Sequence, residues 1–248
     1  MNTFAKTLDT TNSPLSGLTV IALLGGFAAL FGLVFYIAAR QKKAMAVAAA
    51  KNGWQALATD DTTLGDYVPS YLRNRPDSVG HSYQMAYNVQ AQGIVFFRYD
   101  DSVRAINGVN NRLLTTTDNQ SMVQQMVYAI AAFRVPQSFG QVLVLNHSRF
   151  GSIAPPAGLQ KFTLEGDFSE HFDVYAPQGS APETLSVLTP DVMAYLLDLG
   201  QRSHWNIEIN GSLVTVEGDA NLISPTKISN LLDYARALQQ KLATKPIA

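Results

Sequence analysis

The stretch from Leu18 to Ala39, LTVIALLGGFAALFGLVFYIAA, limits this chain more than any other feature. Its polar groups are Thr19 and the Tyr36 hydroxyl. A helix needs about 20 apolar residues to cross the ~30 Å hydrocarbon core of a bilayer. A single segment in lipid is forced into a helix, because its backbone groups find no other partners there. A secretory signal peptide would need a basic region beside a shorter apolar stretch. Here Lys6 is distant, Asp9 offsets it, and the run is too long. The expectation is an uncleaved transmembrane helix over 18–39 behind a short polar tail, 1–17. Leu18, Gly25, Ala29, Gly32, Tyr36 and Ala39 mark the anchor.

Flanking charge sets the expected orientation. Arg40, Lys42 and Lys43 follow the run directly, with Lys51 further on, whereas the tail carries Lys6. The positive-inside bias then puts the C-terminal domain in the cytoplasm and the N-terminus outside. The partner implied first is the membrane bilayer itself. Small residues four apart, Gly25/Ala29 and Ala28/Gly32, permit close helix packing and a homodimer through this segment. Residues 40–52, alanine-rich, read as a helical stalk that stops at Asn52-Gly53.

The rest, 53–248, is long enough to bury a core. A subdivision near 150–160 is left open. SYQMAYNVQ (82–90) has Tyr83, Met85, Tyr87 and Val89 in alternation, and IVFFRY (94–99) follows Gly93; the pair reads as a hairpin. Asn107-Gly108 reads as a turn. SMVQQMVYAIAAF (121–133) and QVLVLN (141–146) read as two strands of a meander, with Pro136 stopping the first. Thr189-Pro190-Asp191 has the composition of a helix start. WNIEINGSLVTV (205–216) reads as a hairpin turning at Asn210-Gly211, its apolar face formed by Ile207/Ile209 and either Leu213 or Val214/Val216. Ser224-Pro225 opens a final helix whose Ile228, Leu231, Leu232, Ala235, Leu238 and Leu242 form a stripe. The fold class expected is α+β: a mixed, mainly antiparallel sheet with packed helices behind one membrane helix.

Composition narrows the chemistry. Net charge is -1 with pI near 6.4, and no basic stripe marks a nucleic-acid face. There are no cysteines, so disulfides, thiolate metal sites and cysteine nucleophiles are excluded. The sequence contains no Walker loop, G-x-G-x-x-G, H-E-x-x-H, G-x-S-x-G or EF-hand loop. His81, His147, His171 and His204 lie at no ligand spacing from one another. No cofactor or metal is expected.

The densest group of titratable residues is KFTLEGDFSEHFDVYAP, with Glu165, Asp167, Glu170, His171 and Asp173 close together. Such acids beside a histidine suit a hard cation or acid–base work. If the chain is an enzyme, a hydrolase for example, Asp167, Glu170, His171 and Asp173 are the candidates. The same residues also suit a strand, a Gly166-Asp167 turn, one helical turn capped by Asp167 or Ser169, and a second strand. That reading makes the acids shapers of backbone.

LEGDFSEHFDVYAP and LSVLTPDVMAYLLDLG together resemble a family of bacterial single-pass membrane proteins of unknown function. Its pattern runs LEGDF-x-K-x-F-x-V/L-Y, then LTPDVM opening a helix. The resemblance is strongest over Lys161 to Val216. It implies a hydrophobic N-terminal segment and a β-rich middle, and it brings no reaction with it. This chain has Glu170 where the pattern often has Lys, and His171 where Tyr or Arg is common. Three roles follow as expectations: a non-enzymatic scaffolding or interaction module with a protein partner, a tethered hydrolase, or a subunit of a larger membrane complex.

Overall fold

A computed structural model describes residues 14–104, 123–147, 157–164, 166–200, 204–219 and 224–243. The Asn107-Gly108 turn and Glu165 lie outside these. The chain divides into two compact units, Met1–Ala44 and Met45–Ala248.

In the first unit the described residues belong to α1 (Pro14–Asn52). The helix expected over Leu18–Ala39 is therefore present. Its reading as a membrane span is a separate matter: among the described residues, no helix is long and apolar enough to cross a membrane. The side chains at 18–21, 23, 27, 28, 31, 34 and 38 lie outside that description. Leu24, Leu30, Leu33, Phe35, Tyr36 and Ile37 are exposed.

The second unit is α+β. Its strands are β1 (Gln55–Ala56), β2 (Ser78–Val89), β3 (Ile94–Arg104), β4 (Val123–Asn146), β5 (Leu159–Phe162), β6 (Phe172–Pro177) and β7 (Asn206–Asp219). They form one seven-stranded sheet in the order β1-β2-β3-β4-β6-β5, with β7 paired to β4. All the described pairings are antiparallel. The helices are α2 (Ser70–Arg73), α3 (Phe168–His171), α4 (Ala181–Val187), α5 (Pro190–Gly200) and α6 (Pro225–Ala243).

The expected 82–99 hairpin is present as β2–β3, but its alternation breaks. The register shifts between Gln84 and Tyr87, where Met85 has φ 50°. An extra residue in one strand flips every later side chain to the other face. Tyr83 thus packs on one side of the sheet, while Met85, Tyr87 and Val89 pack on the other.

The largest departure from the sequence reading concerns β4 and β7. β7 doubles back at Gly211, whose φ of 62° is left-handed and suits glycine. Asn206 Nδ2 lies 2.9 Å from Glu217, and Thr215 Oγ1 lies 3.4 Å from the Glu208 carbonyl. A straight strand would hold residues 206 and 217 about 35 Å apart. The hairpin is therefore real, and Val214 and Val216, not Leu213, join Ile207 and Ile209 in the core. Its two arms pair with the two arms of β4: Tyr128 to Arg134 along one, Val142 to Val144 along the other, with Phe139 opposite Gly211. Of the expected meander 121–133/141–146, the described residues 123–133 and 141–146 do not pair with each other. They flank the β7 hairpin instead, and Pro136 lies within β4, where the register is irregular.

One face of the sheet carries the larger core. Val174, Val214, Val216, Ile94 and Phe96 meet Phe168 of α3, Val192 and Leu196 of α5, and the expected α6 stripe. Met45 and Ala49, in the alanine-rich end of α1, are buried in this core as well. The opposite face is covered by the 3-10 turn Thr62–Tyr67 and by α2, which bury Leu64, Val68, Tyr71 and Leu72 against Phe97, Tyr99, Tyr128, Ile130 and Leu143. The sheet is thus buried on both faces, and this decides where its polar side chains end up.

Candidate functional site

Within 161–177 the described residues form a strand, a turn, a helical turn and a strand: β5, α3 and β6, with β5 paired to β6. Asp167 takes the N-cap position of α3 without a side-chain capping bond, and its carbonyl accepts the Glu170 N–H at 3.0 Å. Ser169 Oγ does the local work, accepting from Leu164 N–H and donating to the Leu164 carbonyl, each at 2.9 Å. Asp167 and Glu170 are exposed and His171 is half-buried. These three serve through their backbone.

Asp173 differs. Register places it opposite Leu145 near the end of β4. There His147 Nε2 lies 2.6 Å from its Oδ1, and Lys161 Nζ from β5 lies 2.5 Å from the same oxygen. The Tyr175 hydroxyl donates to Oδ2 at 3.4 Å. Burial by itself would raise the Asp173 pKa; hydrogen bonds and charge from Lys161 and His147 outweigh it and hold the carboxyl below its ordinary value. The other ring nitrogen of His147, Nδ1, lies 2.9 Å from the Glu170 carbonyl oxygen. The structure therefore brings one of the four sequence candidates to a histidine, but to His147 and not to His171. Sequence spacing held no sign of this, because strand pairing creates the contact.

A second polar group escaped the sequence reading. Glu208 and Glu217 are 4% and 0% exposed on one face of the β7 hairpin. The Ser70 N–H and hydroxyl each donate to Glu208 at 2.5 Å, and Gln141 Nε2 donates at 2.9 Å. The Tyr71 hydroxyl and Asn206 Nδ2 donate to Glu217. Asn206 Oδ1 in turn accepts the Asn146 N–H at 2.9 Å. In NIEI and VTVEG these acids occupy the positions an alternating pattern assigns to solvent. They are buried because α2 covers that face. The bonds tie α2 to the hairpin, which is a structural use of both carboxylates.

Among the described residues, no group of three or more His, Asp or Glu is placed to hold a metal ion. No family model matches the chain, and no curated protein does. A solved structure does resemble it. The crystal structure of the mycobacterial trehalose monomycolate transport factor A, TtfA, superposes with a TM-score of 0.54 at 10% identity, covering 83% of this chain and 96% of that one. At that identity the likeness shows a shared fold.

Proposed function

We propose that the chain is a membrane-anchored, non-enzymatic interaction module whose domain works at the inner membrane face through protein contacts. The observation that carries this is the apolar run Leu18–Ala39 followed at once by Arg40, Lys42 and Lys43. That arrangement favours a single-pass anchor with the N-terminus outside and the C-terminal domain cytoplasmic. The fold shared with a protein named as a transport factor supports an accessory role, and the resemblance carried by LEGDF and LTPDVM supports the N-terminal anchor.

The test is direct. Full-length chain should stay with membranes through an alkaline carbonate wash, and protease added outside intact cells should spare the domain. Solubilised in mild detergent, it should run at a native mass above that of the monomer and release a defined partner. A carbonate-soluble chain, or a clean monomer, would sink the reading.

A tethered hydrolase remains the second reading, favoured by the 2.6 Å contact between His147 and Asp173. A general base needs a ring nitrogen free to face substrate. Here both nitrogens already have partners, which favours a structural pair over a catalytic one.

A further inference from the structure

We propose that His147 is a proton-operated clasp that holds the β5–α3–β6 edge of the sheet to the end of β4. The proposal is independent of the anchor reading. It starts from the chemistry of the ring's two partners. Nδ1 faces the Glu170 carbonyl oxygen at 2.9 Å and Nε2 faces Asp173 Oδ1 at 2.6 Å. A carbonyl oxygen can only accept. The carboxylate is already accepting from Lys161 Nζ at 2.5 Å and from the Tyr175 hydroxyl at 3.4 Å. A neutral imidazole has one N–H and one lone pair, so it satisfies one of these contacts and turns its lone pair on the other. The imidazolium donates to both.

The backbone here is held separately. The His147 N–H donates to the His171 carbonyl at 2.9 Å, just past the last rung of the β4–β6 ladder, Asn146 opposite Phe172. The ring then adds two bonds beyond that rung, and the proton decides whether both exist. Among the described residues, the titratable side chains around it include Asp173 in direct contact, with Lys161 of β5 and Tyr175 of β6 bonded to the same carboxylate; Glu170 and His171 of α3 meet His147 through their backbone carbonyls. The mutual hydrogen bond holds Lys161 and Asp173 in their charged forms, so the proton that changes the clasp is the ring's own. The clasp is therefore complete when His147 carries a proton on each ring nitrogen, and it loses a charge-assisted bond when one of them leaves.

The experiment uses the full-length chain in detergent micelles at pH 5.5 and 8.5. Ring nitrogen shifts from NMR report the His147 protons, and amide exchange, corrected for its intrinsic pH dependence, reports the fit of Phe172–Tyr175 against β4. At pH 5.5 both nitrogens should carry protons. At pH 8.5 the corrected exchange should be about tenfold faster, the scale set by one charged hydrogen bond. His147→Gln, which does not titrate, should show the same corrected exchange at both pH values. A single N–H at pH 5.5, or an equal rise in the Gln variant, overturns the proposal.

Discussion

The indole of Trp205 fills the space a side chain at position 218 would need. A β-carbon on Gly218 would stand 2.9 Å from Trp205 Cδ1 and 3.0 Å from Nε1. Trp205 also meets Tyr234 of α6 edge-on at 4.3 Å between centroids, so it has little freedom to retreat. Gly218→Ala should destabilise the domain by about 1–3 kcal/mol, the usual cost of forcing extra volume into a packed site. Gly80→Ala is the control, since nothing lies within 4 Å of its β-carbon position. Urea denaturation followed by tryptophan fluorescence would compare the two; equal stabilities would contradict the contact.

The link between Tyr71 and Glu217 predicts coupling between α2 and the β7 hairpin. Tyr71→Phe removes a donor to a carboxylate that is 0% exposed. The loss should cost about 1–3 kcal/mol. In a double-mutant cycle with Glu217→Gln, the combined cost should fall well short of the sum. Additive costs would mean that the two side chains act independently.

Asp173 predicts an acid limb in stability. Its carboxyl is held below its ordinary value, so unfolding favours proton uptake. The stabilisation is present above the unfolded value, ~3.9, and disappears as pH falls through the lowered folded one. Unfolding free energy measured from pH 6 to pH 2 should fall less steeply in Asp173→Asn than in the parent. Identical slopes would show that the ion pair with Lys161 and His147 contributes nothing.

The proposed anchor makes two predictions of its own. Leu30→Arg puts a charge near the centre of the run, at a cost of about 2.5–3.5 kcal/mol for insertion. The fraction retained after a carbonate wash should drop. Replacing Arg40, Lys42 and Lys43 together by Gln should expose part of the C-terminal domain to external protease. A chain retained and oriented as before would argue against both the span and its topology.

Much of the local structure was legible in the sequence. The Leu18–Ala39 helix, the β2–β3 hairpin, the Thr189-Pro190 helix start and the α6 stripe each rest on residues within a few positions of one another. So does the strand–turn–strand reading of 161–177, which holds through β5, α3 and β6. Less of the candidate site was visible. Asp173 was within view, whereas its partner His147 lies just past the end of β4, and Glu208 and Glu217 sat at positions that looked solvent-facing.

Periodicity and capping act over one or two turns, so the sequence by itself determined the long helices α1, α5 and α6 and most strands, while the short α2 and α4 and the facing of β2 escaped it. It could not determine that the β7 hairpin inserts between the two arms of β4. That choice is made by hydrogen-bond ladders and apolar faces joining residues far apart in the chain. A sheet covered on both faces then buries Glu208 and Glu217, and strand register carries Asp173 to His147. Those contacts exist because distant backbone was brought into line, and only the tertiary structure decides that.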